Sequence, residues 1–177
     1  MTHVGLDLSL TAAGWAIIYD DGLHQTGTFG DDINDDHIAL RLRRWAGHLN
    51  HVIPYTREGL HIIVEDLPRS VKHGGPALGM VHAMFWKTLG ERSIPYDTVT
   101  VVPPNTLKMY ATGKGTASKS LVLVEAVKRL GYDGHDDNEA DALWLADLGA
   151  RLDGLDRPAL PAGHLKALDK LRKPVAA

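Results

Sequence analysis

The residues best placed to do chemistry in this 177-residue chain are acids set among or at the ends of apolar segments. Asp7 interrupts an alternating run, His3 to Ile18, in which Val4, Leu6 and Leu8 point one way and Gly5, Asp7 and Ser9 the other. A charge in the middle of a strand needs a partner, because a buried, unpaired carboxylate is costly or takes up a proton. Glu65 ends a second run, Leu60 to Val64, that is apolar almost throughout. Such a run reads as a strand covered on both faces, and ligands of open α/β sheets bind beyond the carboxyl ends of their strands. A third group lies at 136–141, where Asp141 shares a helical face with Asp137 or Asn138. Ala140 and Ala142 beside it are small enough to let that helix approach a sheet. Carboxylates from three segments gathered at one sheet edge repel one another unless hard cations neutralise them. Mg²⁺ or Mn²⁺ suits an all-oxygen donor set. Two such ions about 4 Å apart can activate water and stabilise the leaving oxygen in phosphodiester cleavage.

Each acid also has a simpler reading. Asp7 can hydrogen-bond the Ser9–Thr11 region, Glu65 can pair with Lys72, and Asp137 can answer the dipole of its helix. Asp136 and Glu139 have the spacing of a capping box, which accounts for both. Asp66 points to the opposite face from Glu65 and needs no role. His135 reads as an ordinary loop histidine. The conjunction of a strand Asp, a strand-end Glu and a helical acid pair is what favours a metal centre.

The elements that must position these groups can be read in order. Asp21-Gly22 is a hairpin signal, so strands over the first run and over Leu23 to Phe29 form a three-stranded meander. Gly30 to Asp36 holds four aspartates in seven residues, and lacks the glycine and terminal Glu of an EF-hand loop. It is expected to be a solvated loop that caps the next helix. Helical spacing runs from Ile38 to Val52, with Ile38, Leu42, Trp45, Leu49 and Val52 on one face. After the Glu65 strand comes a basic, glycine-rich loop, Arg69 to Pro76, then a helix over Ala77 to Glu91 striped by Leu78, Val81, Phe85 and Leu89. Tyr96 to Val102 reads as a strand, Asn105 to Tyr110 as a short helix, and Lys119 to Leu130 and Asn138 to Leu152 as longer ones. The whole is expected to be α/β, a mixed five-stranded sheet flanked by helices. Residues 1–152 are expected to form one domain. Residues 153–177, with three prolines, a short helix over Leu165 to Leu171 and a basic end, form a C-terminal tail.

Composition narrows the classes. There is no cysteine, which excludes disulfides, thiolate nucleophiles and zinc–thiolate sites. The formal charge of −3 argues against a uniformly basic nucleic-acid coat, though not against a local basic face. No apolar run approaches the roughly 18 residues of a membrane span, and a strand follows directly on Met1-Thr-His3. No membrane association and a reducing, cytoplasmic setting are the expectations.

The ordered set of motifs resembles the RuvC-type Holliday junction resolvases of the ribonuclease H-like superfamily, over roughly residues 3–150. The likeness is carried by Gly5-Leu-Asp7-Leu-Ser9 in the meander, Ile63-Val-Glu65, and Glu139-Ala-Asp141-Ala-Leu143. It extends to His73-Gly-Gly-Pro-Ala-Leu-Gly79, to Leu107-Lys108 and to Gly113 through Ser120. The resemblance implies a ribonuclease H-like fold, Mg²⁺ (or Mn²⁺) as cofactor, and Asp7, Glu65 and Asp141 as metal ligands. It departs at the fourth ligand: family members commonly carry Asp three residues before the last, where Asn138 stands here. Asp137, one residue earlier on a compatible face, is taken as the fourth ligand, with Asn138 as a neutral alternative.

Arg69, Lys72, Lys108, Lys114 and Lys119 would be plain solvated cations without the resemblance. With it they become candidates for gripping DNA phosphates, and Lys119 also for a catalytic role in stabilising transition-state charge. Gly113 to Ser120 is no P-loop, since Ser118 stands where that motif needs glycine. The expected function is metal-dependent cleavage of four-way DNA junctions by paired nicks, carried out by a homodimer because two symmetric nicks need two sites. Leu78, Val81 and Phe85, or Met80, Met84 and Trp86, could supply the dimer interface. The competing readings are a ribonuclease H-like nuclease acting on RNA or other branched nucleic acid, and a junction-binding protein that does not cut. An actin- or sugar-kinase-like ATP-binding domain would need a second domain of similar size.

Overall fold

The computed structural model describes all residues except 32–36, 56–58, 68–70 and 172–177, with the side chains of 71–74 and of Tyr96 also left out. Its centre is a five-stranded sheet in the order β3-β2-β1-β4-β5. The strands are β1 (Thr2–Asp7), β2 (Ala13–Ile18), β3 (His24–Phe29), β4 (Leu60–Glu65) and β5 (Val99–Val102). β1, β2 and β3 form the antiparallel meander, with Gly22 in the positive-φ conformation (80°) that its tight turn requires. β4 joins β1 in parallel, and β5 joins β4 in parallel.

Helices cover both faces. α1 (Ile38–Val52) and α2 (Val71–Glu91) lie on one, and α3 (Pro104–Thr112), α4 (Lys119–Leu130), α5 (Asp137–Leu152) and α6 (Ala162–Asp169) build the other. The alternation along β4 shows why its sequence is continuously apolar. Ile62 and Val64 pack with Leu42, Trp45 and Phe85 on the α1/α2 side, whereas Ile63 packs with Leu143, Trp144 and Leu145 on the α5 side. The two largest buried rings satisfy their polar atoms: Trp45 donates Nε1–H to Ser9 O at 2.8 Å, and Trp144 to Val122 O at 3.1 Å.

Several boundaries differ from the sequence reading. The first helical turn of α2 begins at Val71, inside the expected glycine-rich loop, and is broken from the rest at Gly75 (φ 37°, ψ 163°) ahead of Pro76. Tyr96–Thr98 is a 3₁₀ turn, so β5 is only four residues long. α6 starts at Ala162 and ends at Asp169. The loop before α1 departs most. Asp31 is not solvated but only 3% exposed, held by Arg44 Nε at 2.5 Å and by Arg41, and the cap of α1 is the His37 side chain, which accepts from Ala39 N. Its remaining aspartates lie outside the described residues. Val81 and Phe85 are consumed by the protein's own core, which removes them as an interface; Met80 stays exposed.

The described part of the tail packs onto α3 and α5. His164 Nδ1 bonds Tyr110 O at 2.9 Å, and Ala167 and Leu168 enter the core. Arg157 Nε reaches the fully buried Asp147 at 2.6 Å, where Tyr110 also donates its hydroxyl at 2.5 Å. Among the described residues no helix is long and apolar enough to cross a membrane.

Candidate active site

The site is assembled by two glycines. A Cβ on Gly5 would lie 2.0 Å from Ala142 O and 2.5 Å from Ala146 N, and one on Gly14 would lie 2.0 Å from Asn138 O. Only bare backbone at these positions lets α5 rest directly on β1 and β2. Gly14 is also the cross-strand partner of Asp7. Two residues beyond Gly5 and on the same face, Asp7 therefore sits beside the first turns of α5, which carry Asp137 and Asp141.

Asp7 is the last residue of β1 rather than a mid-strand one, and Glu65 is the last residue of β4. Because β1 and β4 are adjacent and parallel, with Leu6 paired to Val64, both carboxylates leave the sheet at the same edge. Asp136 caps α5 as its spacing predicts, accepting from Asn138 N (2.8 Å) and Glu139 N (3.2 Å). Glu139 does not close the expected capping box: the Asp136 N–H goes to the Tyr132 hydroxyl, and the Glu139 carboxylate instead accepts from Thr26 Oγ1 at 2.7 Å, tying α5 to β3.

Burial and the charges of neighbouring acids raise all three carboxyls. Burial first, then Asp137 and Asp136, raise the Asp7 carboxyl to about 6 against the pull of Lys119. Glu65 is raised to about 8 by burial and by the charges of Asp7 and Asp141, with Lys108 and Lys119 opposing. Asp141 is raised to about 7 by burial, Asp7 and Asp137, again against Lys119 and Lys108. Such a cluster holds protons or cations at neutral pH, and its all-oxygen donor set fits a hard divalent ion.

Two of the expected basic residues reach this cluster. Lys119 opens α4 after the Ser118 cap, and α4 is fixed to α5 through the Trp144–Val122 bond. Its Nζ lies 3.0 Å from Asp137 Oδ2 and 3.4 Å from Asn138 Oδ1. Burial works against the Lys119 charge, but the hydrogen bond to Asp137 and the charges of Asp7 and Asp141 outweigh it and raise its pKa. Lys108 projects from α3 close enough to act on Glu65 and Asp141. Lys114 is exposed on the turn between α3 and α4. Arg69, and the side chain of Lys72 with its possible pairing to Glu65, lie outside the described residues.

One group with metal-ligand chemistry went unnoticed in the sequence. Among the described residues, the three whose ligating atoms all lie within 4.8 Å of one another are His3, His61 and Asp153, not the acids. The signal was present: His3 and His61 each stand four residues before a site acid, as His-x-x-x-Asp7 and His-x-x-x-Glu65.

No protein-family model and no curated protein sequence matches the chain. Solved structures do. RuvC from Thermus thermophilus superposes with a TM-score of 0.64 at 18% identity, over 90% of this chain and 100% of that one. The same organism's RuvC in complex with a Holliday junction substrate gives 0.65 at 17% identity, over 90% and 99%. The architecture is thus the RuvC, ribonuclease H-like fold.

Proposed function

We propose that this chain is a Mg²⁺-dependent endonuclease that resolves four-way DNA junctions by paired nicks, acting as a homodimer, with Mn²⁺ as a substitute ion. The observation that carries the reading is the convergence at one sheet edge of a RuvC-like fold of Asp7 and Glu65, which end two paired parallel strands, with the first turns of α5, which bear Asp137 and Asp141. That a RuvC of the same fold is found with a Holliday junction supports the choice of substrate.

Asp7, Glu65 and Asp141 would hold the ions, with Asp137 as fourth ligand or Asn138 in its place. When bound, the ions supply a nucleophilic water at neutral pH and neutralise charge on the leaving oxygen. The chain's own groups do the rest. The ends of two hydrogen-bonded strands and one helix hold the carboxylates in fixed relative positions, so little reorganisation is needed at reaction. In the structure Lys119 is drawn to Asp137. Were cations to neutralise the acids, that ammonium would be free to face a phosphate and to stabilise its added charge. Lys108, whose charge reaches both Glu65 and Asp141, offers a second phosphate contact. Lys114, Arg69 and Lys72 would extend the track along the DNA backbone.

Asn138 favours one other reading. A neutral amide replaces a charge at the position where such enzymes commonly carry Asp, and a weakened site would bind junctions without cutting them. A substrate panel separates the cases: a four-way junction, a linear duplex of the same sequence and an RNA–DNA hybrid, each with Mg²⁺, Mn²⁺ or EDTA. Cutting of the junction alone supports the proposal, cutting of the hybrid alone moves the activity to RNA, and tight junction binding without cutting in either ion supports the binding reading.

A further inference from the structure

The edge of the sheet opposite the acids holds a second cluster. His3 and His61 are register partners near the N-terminal ends of β1 and β4, and Asp153 is the C-terminal cap of α5. Asp153 Oδ2 lies 3.0 Å from His3 Nε2 and 2.7 Å from His61 Nδ1. The same two strands and the same helix thus carry the acid cluster at one end and this cluster at the other, about 13 Å away along the strands.

Four features go beyond a chance polar contact. The ligating atoms, two imidazole nitrogens and one carboxylate oxygen, converge within 4.8 Å of one another. A carboxylate at a helix C-terminus faces the negative end of the dipole, where a cation is favoured. His61 is oriented from behind, its Nε2 lying 2.8 Å from Thr100 Oγ1, which is the outer contact that metal-bound imidazoles characteristically make. His3 Nε2 and His61 Nδ1 both face Asp153 Oδ2, and these are the two ring positions where a metal ion takes the place of a proton. Finally, a cavity of about 180 Å³ lined by Met1, His3, Asp20, Asp153, Gly154 and Leu155 borders the group and has room for a water as a further ligand. His3 itself is only 1% exposed, and burial, despite Asp153, lowers its pKa, so the ring is neutral and able to coordinate.

We propose that His3, His61 and Asp153 bind a borderline divalent transition-metal ion, Zn²⁺ in the first instance, which clamps β1, β4 and the end of α5 together. Two histidines and a carboxylate with one open position form a donor set that zinc accepts and Mg²⁺ does not prefer. The clamp is structural and holds whether or not the acid edge cuts DNA.

The test uses the tag-free full chain, stripped with chelator and titrated with Zn²⁺ against a chromophoric competitor, with thermal unfolding alongside. Asp7→Asn removes a ligand from the acid edge, and His61→Gln and Asp153→Asn each remove one from the new site. The expected result is one equivalent of Zn²⁺ bound by the wild type and by Asp7→Asn alike, with a rise in Tm. Affinity should fall about 100-fold or more in His61→Gln and in Asp153→Asn, since even outer contacts of metal sites are worth 10–100-fold. A second readout needs no variant: Zn²⁺ should shift the ¹⁵N signals of His3 Nε2 and His61 Nδ1 selectively among the ten histidines. No binding by the wild type, undiminished binding in both site variants, loss of binding in Asp7→Asn, or shifts confined to other histidines would each overturn the proposal.

Discussion

Asp7 and Glu65 end two adjacent parallel strands, each one residue beyond the Leu6–Val64 register pair, so that strand pairing itself sets the two carboxylates side by side. Their closeness follows from the register and does not depend on a loop. α5 adds Asp141 to the pair by lying across bare backbone at Gly5 and Gly14.

The contact of α5 with β1 leaves no room for a side chain at Gly5. Gly5→Ala forces a methyl group into the space occupied by Ala142 O and Ala146 N, both backbone atoms that can yield only if α5 moves. A loss of about 3 kcal/mol or more is expected, at or beyond the upper end of ordinary overpacking. Urea unfolding read by tryptophan fluorescence measures it. Gly47→Ala, at an α1 position with open space around it, should raise stability slightly and serves as the control.

The raised carboxyls make a stability prediction with a definite sign. Asp7, Glu65 and Asp141 bind protons more tightly folded than unfolded. The native state therefore carries more protons between their ordinary range near pH 4 and the folded values of about 6 to 8. Stability falls with rising pH wherever that holds. In EDTA, Tm should decline from pH 5 to pH 8. The cost of burying and crowding these charges is absent below the unfolded values and fully developed above the folded ones. Mg²⁺ should restore more stability at pH 8 than at pH 5.5, and differential scanning calorimetry at the two values checks both statements.

By the same argument, Asp7→Asn should be more stable than the wild type in EDTA at pH 8, while losing any cleavage activity. A gain of about 1 kcal/mol corresponds to roughly 2–4 °C in Tm for a chain of this size. A residue that merely supported the fold would lower Tm instead.

The tail offers an independent test of packing. Asp147 is fully buried and Arg157 nearly so, and their 2.6 Å pair pins the segment after α5 to the domain. Arg157→Ala leaves that carboxylate with Tyr110 and the more distant Arg151. Removing one partner of a buried pair costs about 3–5 kcal/mol, and limited proteolysis should begin to cut between residues 153 and 161.

Much of the fold was legible because local and tertiary signals agreed. α1 runs from Ile38 to Val52 as its apolar spacing indicates, and the hairpin turns at Gly22. Glu65 was recognisable because a strand buried on both faces has to shed its charge at an end. Legibility failed where a residue's environment comes from elsewhere in the chain. Asp31 looked solvated amid polar neighbours, but two arginines one and two turns into α1 draw it inward. Asp153 reads in the sequence as the first residue of a C-terminal tail, and the parallel pairing of His3 with His61 gives it its partners. Glu139 fitted a capping box in one dimension, whereas Thr26 on β3 engages it in three.

The most direct test of the central claim is strand-resolved cleavage of a synthetic four-way junction in Mg²⁺, with Asp7→Asn and EDTA as controls. Symmetric nicks on two opposing strands near the branch point are expected, absent from linear duplex and from both controls. Equal cutting of duplex and junction, or nicks that persist in Asp7→Asn, would contradict it.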